Sequence, residues 1–151
     1  MTPGVVLEFV TVFFAGLLAG MEFVIHYGVR APAEVLDERA QLHLRQALVL
    51  RLRVLIPAIF APTAVSAIAA TALDGAAHGV WLRFVGLLAL LLWIVIRVIG
   101  TVPINSATLT WSLSAPPRNW KSLVNRAERF HDVGVWAVVL AFALFLTAIA
   151  V

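Results

Sequence analysis

The chain has 151 residues, 62% of them hydrophobic and only 13% charged, with a net charge of +3 and no cysteine. Composition this apolar fits one membrane bundle better than a soluble multidomain chain. The missing cysteines exclude disulfides, thiolate metal sites and cysteine nucleophiles. The basic excess lies between apolar blocks, where the membrane orientation signal explains it better than nucleic-acid binding does.

The apolar residues fall into four blocks of roughly 20, the length of helix that crosses a bilayer core. The predicted class is therefore all-α: a single four-span antiparallel transmembrane helix bundle over residues 1–151. The first span covers about 5–27, reads as a retained span rather than a cleaved signal, and carries Glu8, Glu22 and His26. The second covers about 54–73, has no charged residue and contains Pro57 and Pro62, which membrane helices tolerate when neighbours satisfy the freed carbonyls. The third covers about 80–104, with Arg83 near one end and Arg97 inside. The fourth covers about 133–151 and is uncharged.

The connections differ in length and charge. Spans two and three are separated only by residues 74–79, which reads as a tight turn holding His78. The first connection, Arg30 to Arg53, has acids early and arginines late, the order that suits a helix dipole. Helix two should therefore begin near Ala33 and extend beyond the membrane. The third connection, Asn105 to Asp132, holds Pro116-Pro117, Trp111, Trp120 and a basic helical stretch. Five arginines in the first connection and Arg118, Lys121, Arg126 and Arg129 in the third predict that both are cytoplasmic, with both termini outside. That makes the chain an integral protein, expected in the cytoplasmic (inner) membrane of a bacterium.

Ionisable groups at membrane depth are costly and mark candidate sites. On the predicted topology Glu22 and Arg97 lie at matching depth near the cytoplasmic edge and could pair. His26 shares a helix face with Glu22, four residues on. His131 opens span four from the same side, and His43 sits on the extension of helix two. Three chemistries fit these residues. The Glu22–Arg97 pair could be structural, in a non-enzymatic accessory or lipid-binding bundle. Glu22, His26, His131 and His43 could hold a metal, because imidazole with carboxylate suits zinc, iron or copper. Glu22 or His26 could act as a base on a buried substrate. The outer half offers almost no polar interior residue, so a continuous ion path is not expected. Gly16 and Gly20, a Gly-x-x-x-Gly pair, should serve packing within the bundle, with a homo-oligomer through the same stripe as the other reading. No P-loop, Rossmann glycine pattern, Gly-x-Ser-x-Gly or His-Glu-x-x-His is present.

The third connection carries a family resemblance. Pro103-Ile104-Asn105, Leu109 and Trp111, Pro117-Arg118-Asn119-Trp120, Arg126 and Glu128-Arg129-Phe130-His131 resemble the anthrone-oxygenase-like family of small four-helix membrane proteins. The glycine-containing first span followed by Pro32, and Pro57 in span two, also fit. The resemblance implies an oxygen-using monooxygenase that oxidises a small hydrophobic, aromatic substrate, as anthrones are oxidised to anthraquinones, with no organic cofactor. It implies lipid, such a substrate and molecular oxygen as partners, and no nucleic acid. In that chemistry Glu22 or His131 would be the base and Arg97 or Arg126 would stabilise the oxyanion. Asn105, Trp111 and Trp120 would hold the ring. A bound metal activating oxygen is the variant that uses the same side chains as ligands.

Overall fold

The structure is a computed structural model that describes residues 2–74 and 79–151, and its regular elements are all helical. Helix α1 (Pro3–Phe23) opens with proline in its first turn, where the missing N–H costs nothing, and the Thr2 hydroxyl accepts from the Val5 N–H. It runs through a π-helical turn (Val24–Val29) into α2 (Arg30–Glu34). After a short break comes α3 (Glu38–Asp74), then α4 (Val80–Ile96), a second π-helical turn (Arg97–Thr101), α5 (Val102–Thr108) and finally α6 (Trp120–Ala148).

Four continuous helical stretches, Pro3–Glu34, Glu38–Leu73, Val80–Thr108 and Trp120–Ala148, are long and apolar enough to cross a membrane. They pack as one four-helix bundle, with the most extensive interface between α4 and α6 and the next between α1 and α3. Leu18, Trp93, Val138 and Ala141 are fully buried at its centre. The outside is as apolar as the inside: Phe9, Val54, Val65, Leu91 and Trp136 are all exposed. A face of that kind is normal against lipid and anomalous against water.

Helix boundaries differ from the sequence expectation at one place that matters. The second long helix does not begin near Ala33; that residue lies on α2, in continuation of the first span. Asp37 decides the start, because its carboxylate accepts the Ala40 N–H at 2.9 Å and caps α3. With 37 residues, α3 is about 55 Å long and outreaches a hydrocarbon core of about 30 Å. The expected tight turn at 74–79 falls mostly outside the described residues, His78 included. Gly79 is described, and its φ of +85° with Ala148 O close by requires glycine.

Each π turn contains a glycine and is followed closely by a proline: Gly28 and Pro32 in the first, Gly100 and Pro103 in the second. Proline has no N–H to give the carbonyl four residues back, and its ring clashes with that carbonyl. A widened turn relieves both problems, and in the second turn the Val102 N–H bonds the Arg97 carbonyl, five residues back. Gly100 also lets α6 approach, since a Cβ there would land on the Phe130 ring. Gly100→Ala should therefore destabilise the bundle by about 1–3 kcal/mol through overpacking, and Phe130→Ala should recover part of that loss. Urea or thermal melts of the two single variants and the double in detergent measure both effects.

Gly16 packs against Phe142 within the chain, whereas Gly20 faces outward with open space beside it. The expectation that the half away from the π turns lacks interior polar groups does not hold. Glu8 pairs with Arg83, and the buried Thr11 hydroxyl donates to Ser66 at 2.9 Å. Between these groups and Glu22 the packed layer of Ala15, Leu18 and Ala19 on α1 intervenes, so the two polar regions are separated by apolar core.

Candidate functional site

Glu22, in the last turn of α1, is completely buried. Both its carboxylate oxygens accept from Arg97 Nη1 at 2.7 Å. Arg97 opens the second π turn, one helical turn after Trp93, and its guanidinium lies 5.4 Å from the Trp93 ring centroid. The fully buried Trp93 in turn packs on Phe60. The cation is thus fixed between a carboxylate and an aromatic face, which offsets part of its desolvation.

His131, buried on α6, completes the group: its Nδ1 lies 3.3 Å from Glu22 Oε2. The His26 ring stands 5.4 Å from that of His131, while His26 Nε2 lies 3.2 Å from the exposed carboxylate of Asp132.

Above this cluster is a cavity of about 370 Å³. Its apolar lining comes from Ile25 and Val29 of the first π turn, Leu44, Leu48, Val49 and Leu52 of α3, and Val124 of α6. Its polar lining includes Arg45, Arg97, Thr101, Asn105, Glu128 and His131. Arg45 links three elements, donating to Glu128 at 2.7 Å and to the Asn105 side chain at 2.9 Å. The size is within the range of small-molecule sites.

Four buried side-chain nitrogens or oxygens have no hydrogen-bond partner among the described residues: His26 Nδ1, Arg45 Nε, Thr101 Oγ1 and His131 Nε2; the indole of Trp93 hydrogen-bonds the Glu22 carboxylate. An orphaned buried group costs about 1–3 kcal/mol, and native proteins keep few of them. Here all four belong to the cavity wall or to a residue touching the Glu22–Arg97–His131 cluster.

The residues predicted from sequence divide clearly. Glu22, Arg97 and His131 come together, Asn105 and Trp120 line the cavity, and His26 stands beside His131. Arg126 is exposed on α6 and does not line the cavity. Trp111 is also outside the lining; its carbonyl instead accepts from Gln46, which ties α3 to the segment after α5. His43 is exposed on α3, away from the other three candidate ligands. Among the described residues no group of three or more His, Cys, Asp or Glu is placed to hold a metal ion. Arg97 engages Glu22, and His26 faces Asp132 instead.

Arg45, Thr101, Glu128 and Asp132 were not predicted. For Arg45 a signal exists: Gln41, Leu44, Arg45, Leu48, Val49 and Leu52 share one face of a 3.6-residue helix, and all line the cavity. Thr101 has no such signal, because the π turn shifts the register by which a helical face is counted.

Fold and site together define a small membrane bundle with a cavity of mixed apolar and polar lining toward the π-turn end. Comparison of the chain with models of protein families, with curated proteins and with solved structures finds no match.

Proposed function

We propose that this chain is a membrane-embedded oxidoreductase that uses molecular oxygen on a small, flat aromatic substrate with an acidic C–H bond. This is the reaction class implied by its resemblance to the anthrone-oxygenase-like family. The observation that carries the reading is His131. It lines the cavity, a buried carboxylate sits beside one ring nitrogen, and its other nitrogen is unpartnered. An imidazole held beside a carboxylate can take a proton from carbon, and Arg97 on the same wall supplies positive charge beside the carbanion.

The chemistry balances with oxygen as sole oxidant. His131 removes one hydrogen of a ring methylene, and the carbanion adds oxygen to give a peroxide, which recovers that proton. Loss of water, taking the second methylene hydrogen, leaves the ketone. The net change is CH₂ plus O₂ to C=O plus H₂O. We read the two arginine-bearing connections as cytoplasmic by the positive-inside rule, with both termini outside and the cavity at the inner edge of a bacterial cytoplasmic membrane. The purified protein in lipid nanodiscs should consume one oxygen per anthrone oxidised and place ¹⁸O from labelled oxygen in the new carbonyl. Oxygen uptake no faster than in empty nanodiscs would refute the reading.

A second reading has its own observation. The Glu22–Arg97 pair is already closed, with both carboxylate oxygens satisfied, as in a bundle whose polar edge is purely structural. Loss of folding without any assayable turnover would favour it.

A further inference from the structure

We infer that Arg45, held by Glu128 and Asn105, is a gate across the cavity that selects by size what reaches Arg97 and His131. The gate concerns access to the site, stands whether or not the proposed reaction does, and is tested without turnover.

Helix register gives the depth of each lining residue. Residues three or four apart on one helix face stand a turn apart along its axis. Arg97 and His131, with the buried Glu22, form the floor of the cavity. Glu128 lies one turn from His131 on α6, and Asn105 lies one turn beyond Thr101 on α5. Arg45 of α3 donates to both, at 2.7 and 2.9 Å, so it stands at their depth. On the other side of Arg45 is the mouth. There the Gln41 side chain donates to the Glu34 and Leu36 carbonyls, and Lys121 pairs with Glu38 in an exposed setting. Leu48 and Leu52 therefore lie on the floor side of the Arg45 layer, and Val124, one turn from Glu128, lies on the mouth side.

This layer is built to open. Among the described residues no Cα of α3 comes within 8 Å of a Cα of α6, so only side chains span that width. The side chains of Arg45 and Glu128 are each 18% exposed. Water at hand replaces the partner when such a pair separates, so holding it closed is worth little. Arg45 keeps Asn105 while it lets go of Glu128. The Glu22–Arg97 pair below has no such freedom, because its carboxylate is completely buried. The cavity lining includes residues on both sides of the layer, so the guanidinium narrows the space without sealing it. Molecules of a few atoms pass; a molecule of several rings has to push the guanidinium aside.

The test uses single thiols, which report cleanly because the chain has no cysteine of its own. Leu52→Cys places one on the floor side and Val124→Cys one on the mouth side. Each is labelled in lipid nanodiscs with N-ethylmaleimide and with N-(1-pyrenyl)maleimide, and the ratio of the two rates cancels the reactivity of the thiol. The bulky-to-small ratio should be at least about tenfold lower at Leu52→Cys than at Val124→Cys, as expected when bulk is forced past packed side chains. Adding Arg45→Ala together with Glu128→Ala strands neither charge and should bring the ratio up to the mouth value. Adding Glu128→Gln alone keeps the bulk, loosens the hold and should give an intermediate ratio; it decides the matter if the double variant does not fold. A pair that only braces the bundle would lower the melting temperature and leave the ratio where it was, which would overturn the gate. Equal ratios at the two thiols, as entry from the lipid side would give, or no labelling of Leu52→Cys by the small reagent, would overturn it as well.

Discussion

Glu22→Ala should lower the stability of the bundle by about 3–5 kcal/mol, because it leaves Arg97 buried without its counter-charge. Arg97 cannot shed a proton to escape that cost, since guanidinium stays charged in proteins. It is held on the Trp93 face and is buried apart from its edge on the cavity. Removing both charges should behave differently. Glu22→Leu with Arg97→Met replaces a pair by apolar groups, and such replacements are often neutral or stabilising. Denaturant unfolding of the single and double variants in one detergent measures the difference. If Glu22→Ala costs less than about 1 kcal/mol, the carboxylate does not hold the bundle together and Arg97 has another way to be satisfied.

How far the sequence carried this reading depends on which physical signal each feature leaves. Four apolar blocks bounded by charge make the spans legible, and the isolated Glu22 and Arg97 stand out because charge inside such blocks is expensive. Their pairing across 75 positions followed from matched depth alone. The π turns left only a faint mark, a glycine followed within four residues by proline. Yet they set which side chains face inward at the site, and they explain why Thr101 was not anticipated. In sequence Asp37 is one acid among several, so the expected start of α3 falls some five residues before the observed one. Arg45 was counted for topology, where its charge matters, and not for the helix face it shares with Leu48 and Leu52. The metal reading turns on geometry that spacing cannot supply. A Glu-x-x-x-His pair shares a helix face, but Arg97 engages Glu22 and Asp132 draws His26.

His131→Gln should cut turnover of anthrone by about 10²–10⁴-fold, the usual contribution of a positioned general base. Glutamine retains bulk and a polar group near Glu22 but has no nitrogen that can take a proton at neutral pH. The fold should tolerate it, because both Glu22 oxygens keep their bonds to Arg97. His26→Gln is the comparison that gives this prediction its force. His26 lies beside His131 but does not line the cavity, and its Nε2 faces Asp132. If His131 works as a base supported by Glu22, His26→Gln should change turnover much less than His131→Gln. If instead both histidines held a metal that activates oxygen, the two variants would lose activity alike, and elemental analysis would show metal in wild type that both had lost. The ratio of the two rates, measured with melting temperatures that confirm folding, decides between a base and a ligand.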